Sequence, residues 1–278
     1  MDLHLHSTAS DGEFSPDEVV RRAKAEGLEA VALTDHDTVA GLPGAREEGD
    51  RLGLRVIAGC EFSVAAPWGE MHLLGYFLPL DQPVIDRYLA DRRADRLRRA
   101  EAMVARLRGL DVSIGIEDVV AAAGTGGAAG AIGRPHVARA LVERGAVADV
   151  GVAFDRYLGF GRPAFEPKRL PPLSEVADLV HRFGGVVSAA HLKDRATSRN
   201  LRRLQAHGLD AVEARHPRHP PDLRARIEHL AHDLGLLVTG GSDWHGDAMA
   251  GMVHAAVGSQ RVPASWLADL EAQAARYR

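Results

Sequence analysis

Short apolar runs alternate with amphipathic stretches along this chain, and nearly every run hands over to a histidine or a carboxylate. Ala30-Val31-Ala32-Leu33 leads into Thr34-Asp35-His36-Asp37, Arg55 to Gly59 into Cys60-Glu61, and Val186 to Ala190 into His191. Leu236 to Thr239 leads into Gly240-Gly241-Ser242-Asp243-Trp244-His245. Repeated βα units of this kind build a parallel sheet, and on α/β barrels function collects where the strands end. In Asp2-Leu3-His4-Leu5-His6 the period of two puts Asp2, His4 and His6 on one face of a first strand. Met71 to Phe77 reads as a further strand, with His72 and Leu74 on the face opposite Leu73, and Asp210 to Ala214 as another.

The helices announce themselves by caps and spacing. Ser15-Pro16-Asp17-Glu18 has the form of a capping box, and its helix ends at Gly27. Val176, Leu179, Val180 and Phe183 follow i, i+3, i+4, i+7. Further helices are expected near 43–52, 199–207, 222–234 and 264–276. The rhythm breaks between residues 82 and 168. A long helix over 82–109 carries Arg92, Arg93, Arg96, Arg98 and Arg99, and a Gly/Ala tract from Ala121 to Gly133 reads as a flexible connection. The expected organisation is a barrel built from 1–81 and 169–278, with 82–168 as a helical insertion covering the active site.

A length of 278 residues suits one α/β barrel. The net charge of −4 argues against a broad grip on duplex DNA, although bound cations would add local positive charge. Cys60 is the single cysteine, so no intramolecular disulfide can form. The first residues lack the pattern of a signal peptide and no apolar run reaches membrane-spanning length. These readings lead to the expectation of a soluble cytoplasmic protein without membrane partners. Oligomeric state is not legible.

Nine side chains could bind metal: His4, His6, Asp11, His36, Glu61, His72, His191, Asp243 and His245. Imidazole and carboxylate without thiolate favour Mn, Fe or Zn, and nine donors suffice for two or three divalent cations. Each alone has a plain alternative. His-x-His spans only about 6–7 Å along a strand and is common on solvated strands. Glu61 could face solvent, His72 could be an ordinary sheet histidine, and His191 a strand-end cap. Convergence of several strand ends on one rim carries the argument.

The segments Asp2-Leu3-His4-Leu5-His6-Ser7, Asp11-Gly12, Thr34-Asp35-His36-Asp37, Gly59-Cys60-Glu61-Phe62-Ser63, Ala190-His191 and Gly241-Ser242-Asp243-Trp244-His245 together resemble the PHP (polymerase and histidinol phosphatase) superfamily. The resemblance implies an α/β fold, a distorted seven-stranded β/α barrel with a di- or trinuclear metal site, Mn being the foremost occupant. It implies a first ion on His4, His6, Glu61 and Asp243, a second on Asp11, His36 and His245, and a third on Glu61, His72 and His191. Asp11, His36, Glu61 and Asp243 would be the catalytic set.

Within the superfamily the chain most resembles the branch of nucleoside 3′,5′-bisphosphate phosphatases, also described as 5′-to-3′ exoribonucleases on short RNA. His72-Leu73-Leu74-Gly75-Tyr76, Gly133-Arg134-Pro135-His136-Val137-Ala138 and Pro167-Lys168 carry this. That likeness implies that Arg134, His136 and Lys168 hold phosphate of a small nucleotide or short RNA, and leaves open whether His136 or water protonates the leaving alkoxide. An Arg-Pro-His at a helix start is also a common cap. Leu192 stands where the family often has proline, and the Gly/Ala tract is longer than the family pattern. Asp35 and Asp37 are candidates to orient imidazoles, His216 to border the site, His219 for a loop role, and Trp244 for packing or a base wall. His181, His207, His229 and His232 are expected on solvated helix faces. A histidinol-phosphate phosphatase, an amidohydrolase and a non-catalytic metal- or nucleotide-binding module are the rival readings.

Overall fold

The computed structural model describes residues 1–127, 132–247 and 255–278. Among these residues seven strands form one curled sheet in chain order: β1 (Asp2–Leu5), β2 (Ala30–Leu33), β3 (Arg55–Ala66), β4 (Gly69–Tyr76), β5 (Val186–Ala189), β6 (Ala211–Arg215) and β7 (Leu237–Gly240). The curl brings Leu5 at the end of β1 into a bridge with Trp244 beyond β7. There the His6 N–H donates to the Trp244 carbonyl at 3.1 Å and the Asp243 N–H to the His4 carbonyl at 3.0 Å. This closure needs a residue without a side chain: a Cβ on Gly241 would stand 2.3 Å from the His4 Cβ.

The sheet is not uniformly parallel, unlike the expectation from the alternating pattern. β4 is antiparallel to both β3 and β5, while the other neighbours are parallel. Only Pro67 and Trp68 separate β3 from β4, and a two-residue link cannot make the crossover that parallel strands require. The reversal puts the start of β4, rather than its end, at the rim where the parallel strands finish, so His72 pairs in register with Ser63. β3 is twelve residues long, which leaves Glu61 inside the strand instead of at its end.

Among the described residues ten α-helices accompany the sheet: α1 (Pro16–Ala25), α2 (Leu42–Leu52), α3 (Pro83–Arg108), α4 (Ile116–Gly127), α5 (Arg134–Glu143), α6 (Val150–Ala153), α7 (Leu173–Arg182), α8 (Ser198–Gln205), α9 (Pro221–Leu234) and α10 (Ala264–Ala275). Ser15 has the extended backbone of an N-cap before Pro16, yet its hydroxyl caps no backbone N–H, so the expected capping box does not form. α7 buries Leu173, Val176, Leu179 and Val180 on the expected stripe. Each such side chain contributes about 1.5–3 kcal/mol on full burial. Between β4 and α7 the described elements are all helical, and Met103, Leu107, Val137, Leu141 and Leu158 gather into a core of their own. Ile85 and Leu89 of α3 pack instead with the barrel core, which therefore extends past residue 82. α4 runs into the Gly/Ala tract as far as Gly127; residues 128–131 of that tract lie outside the described residues.

Of the helical histidines, His229 and His232 are exposed and His207 lies exposed in the turn after α8. His181 departs from the expectation: it stacks on Tyr277 with centroids 4.0 Å apart and pairs with Asp210 at 2.7 Å. Among the described residues no helix is long and apolar enough to cross a membrane.

Candidate metal centre

The rim assembles all nine expected side chains into one ring. Glu61 lies at its middle, fully buried. Its Oε2 is 3.2 Å from His4 Nε2, 3.1 Å from His6 Nε2 and 3.3 Å from His36 Nδ1. Its Oε1 is 2.8 Å from His72 Nδ1 and 3.2 Å from His191 Nε2. Asp243 Oδ1 stands 3.3 Å from both His4 Nε2 and His6 Nε2. On the far side Asp11 Oδ1 is 3.3 Å from His245 Nε2, and Asp11 Oδ2 is 3.9 Å from His36 Nε2.

Three overlapping donor sets result, each with its ligand atoms within 4.8 Å of one another: His4, His6, Glu61 and Asp243; His6, Asp11, His36 and His245; and His36, Glu61 and His72. Two details differ from the sets implied by the resemblance. His6 and His36 are each shared between two sets, and His191 is not a member of the third, which it meets at Glu61 and against the His72 ring.

The donor chemistry fits divalent cations. Both nitrogens of His6, and Nδ1 of His36 and of His72, are buried without a hydrogen-bond partner. A buried polar group left unsatisfied costs about 1–3 kcal/mol, and a cation relieves several such groups at once. The charges point the same way. Burial opposes the charged form of His4, yet Glu61, Glu213 and Asp243 push its pKa well above the usual imidazole range. Against the same burial, Asp243 and Glu61 raise His6 to about 10. Burial wins at His36, which falls to about 3. The carboxyls of Asp11, Glu61 and Asp243 are held well below the ordinary range by surrounding imidazoles, although burial works against them. Protons on His4 and His6 thus occupy a negative field that metal binding would satisfy by displacing them.

The rim also stores backbone strain. Asp37, His191 and Asp243 have φ of 48°, 31° and 51°, a left-handed region that costs non-glycine residues about 1–3 kcal/mol each.

A second layer of polar residues holds the ring, and its main member does not stand out in the sequence. Glu213, buried in β6, accepts from His4 Nδ1 at 2.9 Å through Oε1 and from the His191 N–H at 2.7 Å through Oε2. The available signal is a lone carboxylate among Ala and Val in a barrel strand, which needs a partner indoors. Asp2 accepts the backbone N–H groups of His4, Ser242 and Gly258, tying β1 to the loop after β7. His216, buried, lies with Nε2 3.2 Å from Asp243 Oδ2. His219 bonds the Ala214 carbonyl and the Lys193 N–H, a loop role. Asp35 and Asp37 do not orient imidazoles. Asp35 accepts from Ser7 and Ser10, and Asp37 holds the Arg96 guanidinium at 2.5 Å. Trp244 stacks on Phe14 at 5.3 Å and also lines the inner cavity.

Above the ring the insertion and the barrel loops enclose a chamber of about 580 Å³ that shares Asp11, His36, His72 and His191 with the inner cavity. Arg134 lies on its wall at the start of α5, its guanidinium 5.7 Å from the Phe154 ring centroid and 5.6 Å from that of Phe165. Among the described residues it has no salt-bridge partner. Arg96, Arg99 and Lys168 also face the chamber. Burial and then Arg134 lower Arg99 to about 10, and burial and then Arg96 lower Lys168 to about 8. Cations that depress one another in this way form a ready anion site. Lys168 pairs with Glu70, and Glu70 lies 3.2 Å from His72 Nε2. His136 is placed otherwise. It is buried behind the wall, its Nδ1 accepts the Gly133 N–H at 2.9 Å, and burial lowers its pKa to about 4.

Residues 2–117 match the family model of the PHP domain. Over 251 residues the chain is 33% identical to the 5′-3′ exoribonuclease Rnm of Escherichia coli, covering 88% of this chain and 84% of that one. Over 258 residues it is 32% identical to the 3′,5′-nucleoside bisphosphate phosphatase of Chromobacterium violaceum, covering 90% and 89%. The crystal structure of a provisionally assigned metal-dependent phosphoesterase from Bifidobacterium adolescentis superposes with a TM-score of 0.87 at 33% identity, covering 98% of this chain and 95% of that one. The chain belongs to the PHP family, and it is a metal-dependent phosphoesterase.

Proposed function

We propose that this phosphoesterase removes the 3′-phosphate of nucleoside 3′,5′-bisphosphates to give 5′-nucleotides, and also degrades short 5′-phosphorylated RNA from the 5′ end. The observation that carries this reading is a second charge cluster beside the ring. A substrate with one phosphate needs only the ring, whereas Arg134, Arg99 and Lys168 call for a second phosphate a short distance away. Histidinol phosphate, with a single phosphate, would leave that cluster without a ligand, and a non-catalytic module would have no use for the strained rim.

In this reading one divalent cation is held by His4, His6, Glu61 and Asp243, a second by Asp11, His36 and His245, and a third by Glu61, His72 and His191. Manganese is the favoured occupant by the family resemblance, with iron or zinc as alternatives that the nitrogen and oxygen donors also suit. Bound cations would make water nucleophilic near neutral pH and offset phosphoryl charge. The remaining work belongs to the chain. Arg134, beside the Phe154 and Phe165 rings, can fork two oxygens of the 5′-phosphate. Lys168 adds a point charge. Fixing the 5′-phosphate there positions the 3′-phosphorus over Asp11, His36, Glu61 and Asp243, on which turnover depends. His136 fixes the start of α5 through its Nδ1, which leaves Nε2 as the nitrogen that can meet phosphate.

Residues 82–168 act as the insertion that covers the active site, because Arg134 and Lys168 come from it, and 1–81 with 169–278 supply the barrel. The free, buried Cys60 suits a cytoplasmic setting. The test is phosphate release from adenosine 3′,5′-bisphosphate with added Mn, beside 5′-AMP and histidinol phosphate. Selective release from the bisphosphate supports the reading; release from histidinol phosphate alone refutes it.

A further inference from the structure

The outer chamber has a second wall that the bisphosphate reading leaves unused. It is formed by the loops after β5 and β6 and by the β3–β4 turn, and it presents Lys193, Arg195, Arg218 and Trp68. Lys193, Arg195 and Arg218 are exposed, and among the described residues none has a salt-bridge partner. Arg96 and Lys168 across the chamber are, by contrast, each paired with a carboxylate. Asp194 lies between Lys193 and Arg195 and subtracts one charge, leaving the wall cationic. Arg195 stands 5.7 Å from the Trp68 ring centroid, an arginine-and-indole pair at the edge of the cleft. Arg218 borders both the inner cavity and the outer chamber, so the wall is continuous with the ring.

Two features hold these cations in place. The Lys193 backbone is left-handed, with φ 56°, and its N–H donates to His219 Nε2 at 3.2 Å. The Arg218 N–H donates to His216 Nδ1 at 3.0 Å. Buried histidines next to the ring therefore fix the backbone from which both side chains project.

We propose that this wall is a track for single-stranded RNA downstream of the scissile phosphate, resting on the reading that the 5′-phosphate is held at Arg134. If the first nucleotide spans from Arg134 to the ring, the second and third nucleotides must leave past another surface. Unpaired cations for phosphates and an aromatic side chain, here the half-buried Trp68 under Arg195, are the chemistry that binds single strands without reading sequence. A nucleoside bisphosphate ends at the scissile phosphate and cannot reach the track. The wall thus separates the two substrates: it is idle for the mononucleotide and engaged by an oligonucleotide.

The experiment compares wild type with Lys193→Ala/Arg195→Ala and, separately, Trp68→Ala. Each is assayed as kcat/KM on adenosine 3′,5′-bisphosphate and on a 5′-phosphorylated pentaribonucleotide, over a range of salt. The track predicts bisphosphate turnover within about twofold of wild type and oligonucleotide turnover roughly tenfold lower. For the double variant the salt dependence on RNA should also flatten, by about 0.7 in log–log slope for each phosphate that no longer meets a cation. Unchanged oligonucleotide turnover, or equal losses on both substrates, overturns the track. A wild type that hydrolyses the bisphosphate and ignores the oligonucleotide also overturns it while leaving the bisphosphate reading intact. A wild type inert toward both refutes the parent reading, and the track with it.

Discussion

Glu213→Gln should weaken metal binding without unfolding the protein. The carboxylate makes two hydrogen bonds as acceptor only, from His4 Nδ1 at 2.9 Å and from the His191 N–H at 2.7 Å. A carboxamide is isosteric but has a single acceptor, so one of the two donors must face its NH₂ group. If the NH₂ faces His191, the buried N–H is left unsatisfied at about 1–3 kcal/mol, on a residue already held at φ 31°. If it faces His4, the imidazole must accept at Nδ1, which puts the proton on Nε2, the nitrogen that points at Glu61 and Asp243. Either arrangement degrades a ligand, and the negative charge that raises the basicity of His4 is gone. Loss of such a supporting partner costs about 10–100-fold in metal affinity, or ~1.4–2.8 kcal/mol. Chelator competition with Mn reads the affinity, and far-UV circular dichroism checks the fold. Affinity within about threefold of wild type, with the fold intact, would refute the positioning role.

Three further outcomes follow from the same geometry. Asp243→Asn keeps a side chain that tolerates a left-handed backbone but removes a charge from the ring; turnover should fall by about 10²–10³-fold, and near-normal activity would remove Asp243 from the site. Arg134→Ala should lower kcat/KM on the bisphosphate by about 10–150-fold, the equivalent of one charge-assisted hydrogen bond, with a smaller loss on an aryl phosphate; equal losses would deny it a role in selection. Lys168, with a pKa lowered to about 8, is charged below that pH and neutral above it. The wild-type kcat/KM for the bisphosphate, which reports groups of the free enzyme, should therefore decline as pH rises through about 8. Lys168→Arg stays charged and should lose that inflection; its persistence would assign the titration elsewhere.

The ring residues are legible in the sequence because strand geometry is simple. A period of two sets His4 and His6 on one face, and apolar runs ending in His36, His191 and Asp243 mark a shared rim. The direction of β4 is not legible from its pattern, since a strand's alternation is the same in either direction; only the two-residue link Pro67-Trp68 shows that it must reverse. Arg96 is visible as part of a charge-rich helix but not as a buried residue. Its place on the stripe Ile85, Leu89, Arg96, Ala100, Met103 and Leu107 is the available clue, and its partner Asp37 is 59 residues away. His136 reads in sequence as a phosphate ligand or as a cap, because both use the same residue at the same helix position. The 2.9 Å bond from the Gly133 N–H shows the capping role of its Nδ1, which the sequence alone does not display.

In the proposed site one buried carboxylate, Glu61, joins overlapping cation sites at the rim of the curled sheet. Anomalous diffraction at the Mn edge from crystals grown with Mn tests it directly. One peak is expected among His4, His6, Glu61 and Asp243 and another among Asp11, His36 and His245, with any third beside His72 and His191. A single peak, or peaks away from Glu61, would contradict it.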